Sequence, residues 1–133
     1  ELTRQSKKLG MPFNLKPAHW PTNAAPSCYA IIAAQNEGGD VGKLCQLFMA
    51  AVWAENRDIA QDDVVRDCLE KAGFNPDIAE KGMLQGADTF ARNLEEAVEK
   101  GVFGAPFYIL DDGQKFWGQD SLGDLDLHLS GKL

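Results

Sequence analysis

The turn Gly101-Val102-Phe103-Gly104-Ala105-Pro106 runs directly into the apolar segment Phe107-Tyr108-Ile109-Leu110. A proline just before a strand, after a glycine-flanked turn, is a candidate cis peptide, because only X-Pro bonds adopt cis at modest cost, about 0.5–1 kcal/mol. A cis Ala105-Pro106 bond would turn the N–H and C=O of Ala105 outward, able to pair with an extended peptide as if adding a strand. A trans proline opening a strand is the plainer alternative. Gln119-Asp120-Ser121 stands at the head of a last helical stretch. Free N–H groups and the positive end of a helix dipole favour a carboxylate there, and Asp120 offers a partner for an ammonium. An α-amino-acid head group needs both, so the segment suits the γ-glutamyl end of glutathione. Simple capping of the helix by Asp120 and Ser121 accounts for the same residues.

Other residues able to do chemistry read more plainly. Cys28, Cys45 and Cys68 form no Cys-x-x-Cys pair, and their odd number and wide spacing speak against a disulfide framework. A reducing compartment, the cytoplasm, is expected. Cys45 and Cys68 fall on apolar stripes and read as core thiols. Cys28 lies near a helix start, where a thiol either packs or acidifies. His19 and His128 are far apart and have no thiol or acidic ligand pattern, so no metal site is expected. Asp111-Asp112 reads as a turn, not an acid–base couple. His128 reads as a surface residue near a helix C-terminus. The net charge of −7, with no basic run, argues against a nucleic-acid partner. The apolar runs fall far short of the roughly 20 residues that cross a bilayer.

These residues need elements to hold them. The opening residues, through Leu9-Gly10, read as the tail of a helix ending at a glycine cap. Pro12, Pro17 and Pro21 keep 11–23 irregular, with Phe13-Asn14-Leu15 as a possible extended piece. A helix is expected over about 24–37, capped by Asn23, with Pro26 in its first turn. Asp40 should cap a second helix with the stripe Val41, Leu44, Cys45, Phe48, Ala51 and Val52. A third spans about 61–72, with Val64, Val65, Cys68 and Leu69 inward. Asn75-Pro76 should open a short helix near Ile78. A fifth covers about 86–100, with the stripe Ala87, Phe90, Leu94, Ala97 and Val98, ending at Gly101. Then the pattern turns to strand: Phe107–Leu110, the turn Asp111-Asp112-Gly113, and Gln114–Trp117. Ser121 with Asp124 resembles a capping box for the last helix, with Leu122, Leu125 and Leu129 inward. A two-stranded hairpin is marginal alone. A segment preceding Glu1 is therefore expected, and it should bring strands.

Four segments together resemble the 2-hydroxychromene-2-carboxylate isomerases, which group with kappa-class glutathione transferases in the DsbA-like branch of the thioredoxin superfamily. They are Gly101–Pro106; Phe116-Trp117-Gly118-Gln119-Asp120-Ser121-Leu122; Pro17-Ala18-His19-Trp20-Pro21-Thr22-Asn23; and Val52-Trp53-Ala54-Glu55-Asn56-Arg57-Asp58-Ile59, similar to a Trp-(x)4-Asp-Ile element. The resemblance implies an α/β, thioredoxin-like fold with an all-helical insertion. Residues 1–100 would be mainly that insertion, 101–133 the C-terminal half of the thioredoxin-like domain, and the N-terminal βα part would lie outside the chain. It implies glutathione as cosubstrate, with Ala105 beside Pro106 pairing with the cysteinyl part and Gly118, Gln119 and Asp120 taking the γ-glutamyl group. Ser121 stands where the family often has Arg, keeping a hydrogen bond but not a bidentate charge. Trp20, Asn23 and His19 would line the pocket of a small aromatic substrate. The family's thiol-activating Ser has no counterpart in this chain and is expected upstream.

The activity so implied is a cis–trans isomerisation in naphthalene-type aromatic degradation, carried out by a homodimer. A kappa-like glutathione transferase or a DsbA-like disulfide oxidoreductase fits the same fold. A non-catalytic thiol-binding protein is the reading from another class.

Overall fold

The computed structural model describes residues 1–133 as two compact units, Glu1–Arg92 and Asn93–Leu133. In the first unit, α1 (Leu2–Leu9) stops at Gly10, whose left-handed φ of 64° suits glycine. Helices α2 (Ala25–Asn36), α3 (Val41–Trp53) and α4 (Asp62–Ala72) then build the core. Ala30 and Ala34 of α2, Leu44 and Phe48 of α3, and Cys68 and Leu69 of α4 are buried together. The small residues of α2 let its neighbours approach closely. Asp40 caps α3 as expected, its carboxylate accepting the Lys43 N–H at 3.2 Å. All four inward residues expected of α4 are buried.

A short α5 (Ile78–Lys81) leads into α6 (Met83–Glu99), which begins in the first unit and ends in the second. It starts before the expected Gly86, whose N–H already bonds the Gly82 carbonyl at 2.7 Å. Gly86 lies against α2: a Cβ there would stand 2.9 Å from Tyr29 Cβ. At its end α6 closes on Gly101, with Gly101 N–H on Val98 O and Val102 N–H on Ala97 O.

In the second unit β1 (Phe107–Ile109) and β2 (Lys115–Trp117) pair antiparallel, with Phe107 opposite Trp117, Tyr108 opposite Phe116 and Ile109 opposite Lys115. Asp111-Asp112-Gly113 makes the turn, Gly113 at φ 85°. A 3₁₀ turn (Gln119–Ser121) runs into α7 (Leu122–Leu129). Lys115 reaches back to cap α6, its ammonium donating to the Lys100 carbonyl at 2.7 Å.

Several expectations are corrected. Ala24, not Asn23, is the N-cap of α2, and Asn23 instead accepts the Ala25 N–H at 3.1 Å in an Asx turn. Asn75 likewise serves a turn, accepting from Asp77 N–H, and Asp77 precedes α5. Ser121 forms no capping box: residues 119–121 are already coiled, so its hydroxyl meets the Trp117 carbonyl at 2.8 Å. Phe13-Asn14-Leu15 pairs with no strand. Of the α7 leucines only Leu125 is buried, while Leu122 and Leu129 are exposed. On α6, Phe90, Leu94 and Val98 are exposed, because spacing defines an apolar face without supplying what covers it. No helix is long and apolar enough to cross a membrane.

Candidate functional site

In the second unit the chain enters β1 through a cis Ala105-Pro106 bond, as the glycine-flanked turn suggested. Pro106 O accepts the Gly118 N–H at 2.9 Å, which extends the hairpin ladder by one step and holds the two segments side by side. Ala105 is exposed, and neither its N–H nor its C=O is taken by another backbone group. Together Ala105, Pro106, Trp117, Gly118, Gln119 and Asp120 line a recess of about 240 Å³. Gly118 has φ 83°, and a Cβ there would meet open space.

Five of the six residues singled out in this segment line the recess; the sixth, Ser121, does not, since its hydroxyl is turned to Trp117 O. Trp117 is the lining residue that spacing alone did not assign. Alternation along β2 carried the signal: Phe116 is buried, so Trp117 points the other way. The indole lies over Gly104, where a Cβ would fall 2.5 Å from its Nε1. Phe103 packs edge-on against both Trp117 and Phe107, with ring centroids 5.0 and 5.1 Å away.

In the first unit His19, Trp20 and Asn23 sit on one irregular loop. Trp20 precedes a second cis proline, Pro21, and tilts against Trp53 with centroids 5.0 Å apart; Phe13 stacks on the other partner of that pair, Trp53, at 5.8 Å. Trp20 remains 53% exposed. Asn23 opens instead onto a cavity of about 580 Å³ shared with Tyr29, Val65, Arg66 and Met83, which His19 and Trp20 do not line. Arg66 is engaged there by Asp77 at 2.7 Å.

All three cysteines are free. Burial pushes the Cys68 thiol up, and burial with the nearby Cys45 does the same for Cys28. Cys28 is thus the packed thiol of the two expectations, not the acidified one. Cys45 is half-buried on its stripe.

Known proteins resemble the chain in sequence and in fold. A curated 2-hydroxychromene-2-carboxylate isomerase of Sphingobium xenophagum is 29% identical over 119 residues, covering 85% of this chain and 59% of its own length. A solved structure of a 2-hydroxychromene-2-carboxylate isomerase superposes with a TM-score of 0.77 at 22% identity, covering 97% of this chain and 62% of the other. The chain therefore spans less than two thirds of either relative. The DSBA-like thioredoxin domain matches residues 1–130. With that match covering nearly its whole length, the chain belongs to the DSBA-like thioredoxin domain family.

Proposed function

We propose that this chain carries the thiol-peptide recess and the substrate loop of a glutathione-dependent cis–trans isomerase of the 2-hydroxychromene-2-carboxylate type. One observation carries the reading: the unclaimed main-chain N–H and C=O of Ala105 stand at the same recess as the Asp120 carboxylate. A donor and an acceptor on one residue suit an extended peptide backbone. A carboxylate beside the first, unpaired N–H groups of a helical turn suits an amino-acid head group. At about 240 Å³ the recess is smaller than the roughly 300–1,000 Å³ of drug-sized pockets. It fits one arm of a tripeptide, not the whole.

Bound glutathione would supply a thiol that adds to the conjugated ring-opened substrate and leaves again, making a double bond single while it rotates. Ala105 would orient the cysteinyl backbone. Asp120 would hold the γ-glutamyl ammonium, with the Gly118-Gln119 main chain beside its carboxylate. Trp20, Asn23 and His19 would wall the small aromatic substrate. The three unpaired cysteines are in keeping with a reducing, cytoplasmic setting, and the reading carries a homodimer with it.

The test is to mix the complete protein, with the thiol-activating Ser expected of it, with glutathione and 2-hydroxychromene-2-carboxylate and follow the ultraviolet spectrum toward the ring-opened trans isomer. Conversion that requires glutathione is expected; no conversion, or conversion indifferent to glutathione, rejects the reading. The orientation of Ser121 favours a second reading, a site that no longer takes glutathione. Calorimetry with glutathione separates the two, since that site gives no heat.

A further inference from the structure

The Trp53-(x)4-Asp58-Ile59 element has no part in the recess, yet it is a densely hydrogen-bonded turn of the first unit. Its base is fixed to the core. Ile59 is buried, the Arg57 N–H bonds Ala51 O at 2.7 Å, and the Arg57 guanidinium pairs with Asp67 of α4 at 2.8 Å. From that base four groups reach the loop that holds Trp20. Trp53 O accepts the Asn14 N–H at 2.6 Å, and Ala54 O accepts the Asn14 side chain at 3.0 Å. Asn56 Oδ1 accepts the Ala18 N–H at 3.0 Å. Asp58 Oδ1 accepts the Thr22 hydroxyl at 2.7 Å.

The spacing is regular. Attachment falls at 14, 18 and 22 on the loop, and at 53–54, 56 and 58 on the turn. His19 and Trp20 thus lie between two attachments, and Asn23 follows the last directly. Asn56 adopts φ 54°, a left-handed value that Asn tolerates better than most residues. Asp58 is held by more than one donor: besides Thr22 it accepts the Ala60 N–H and the Gln61 amide, both at 3.0 Å. A fixed acceptor is what a strap needs, because it sets where the Thr22 hydroxyl must go.

We propose that Asp58, through Thr22, and Asn56, through Ala18, are positioning residues that set the register of the loop carrying His19, Trp20 and Asn23. The value of that register for catalysis rests on the isomerase reading above. The positioning itself does not.

Thr22→Val tests this most cleanly, because it removes one hydroxyl and leaves the shape. In the full chain the Trp20 indole and Ala18 amide resonances should both move, with the Trp117 indole unchanged and the urea midpoint nearly so. Thr22→Ser should restore the wild-type spectrum. Adding Asp58→Asn to Thr22→Val should move the Trp20 resonance no further than one change alone. In turnover, Thr22→Val should raise the KM for 2-hydroxychromene-2-carboxylate about fivefold, as loss of one hydrogen bond allows, with kcat and glutathione affinity held. An unmoved Trp20 resonance in Thr22→Val overturns the positioning role. If the complete wild-type protein shows no turnover while the resonances respond as described, the isomerase reading fails and the positioning stands.

Discussion

The imidazole of His128, in the last turn of α7, lies 2.7 Å from the Asp112 carboxylate at the hairpin tip, with the Phe116 ring 5.8 Å away. The contact ties the two ends of the second unit's small sheet and helix together. The Gln114 N–H first, and His128 after it, hold the Asp112 carboxyl below its ordinary range. Its contribution is complete above the unfolded value, near pH 4, and falls away as the pH drops below that. His128→Gln should make amide exchange at the tip roughly twofold to fivefold faster at pH 6, the range typical of an exposed pair. If exchange of the Gly113 and Gln114 amides is unaltered, the contact does not hold the tip.

Gly104 is needed where it stands because the Trp117 indole covers it. Gly104→Ala must push a large, packed ring aside, and that ring lines the recess with Ala105 and Asp120. Glutathione binding by calorimetry should weaken about tenfold, with the first unit's thermal transition unmoved. Gly118→Ala serves as a contrast: its Cβ would meet open space, so its cost comes from the backbone at φ 83° alone. Equal glutathione affinity in Gly104→Ala and the wild type would remove Trp117 from the site.

Leu69 is fully buried between α2, α3 and α4. Truncating it to Ala leaves a cavity as well as losing apolar contact, about 2–5 kcal/mol in a core of this kind. Urea denaturation should show that loss. A cost below about 1 kcal/mol would mean that the three helices close over the gap.

The helices were legible because their punctuation was local. Asp40, Gly73 and Gly101 each mark an end by their own conformational preference, and the stripes of α3 and α4 face the core as their spacing requires. Ser121 and Asn23 misled for a related reason: both have cap-forming side chains, but whether one caps depends on where the backbone first coils. The contacts that shape the candidate site were out of reach for another reason. Thr22 and Asp58 are 36 residues apart, and nothing in either residue type names the other. The Gly104–Trp117 contact and the His128–Asp112 pair likewise exist only once the hairpin has formed. The proline turn is the exception, since its glycines, proline and following strand lie within nine residues of chain.

Cys28 and Cys68 both have thiols pushed up by burial, so each is less ionised at neutral pH than an ordinary cysteine. Both should resist iodoacetamide at pH 7.5 in the folded protein and react readily in denaturant. Cys68→Ser should cost more than Cys68→Ala, because the hydroxyl would be buried without an assigned partner, about 1–3 kcal/mol. Rapid alkylation of Cys28 in the native chain would contradict its packed environment and reopen it as a working thiol.

Asp58 gives the first unit a pH signature of its own. Bonds from Gln61, Thr22 and Ala60 hold its carboxyl down to about 2, against about 3.9 in an unfolded chain. A lowered folded value means that ionised Asp58 favours the folded state. That contribution is whole above about pH 4, shrinks as the pH falls between the two values, and is gone below about 2. Asp58→Asn removes the titrating group, so wild type and variant should differ in urea midpoint at pH 6 and converge as the pH approaches 2. The Trp20 resonance of the folded wild type should hold steady down to about pH 3 and drift as the pH approaches 2, because the Thr22 attachment loosens as the folded carboxylate takes its proton. A gap between the two proteins that stays constant down to pH 2 would show that the ionised carboxylate does not hold the loop.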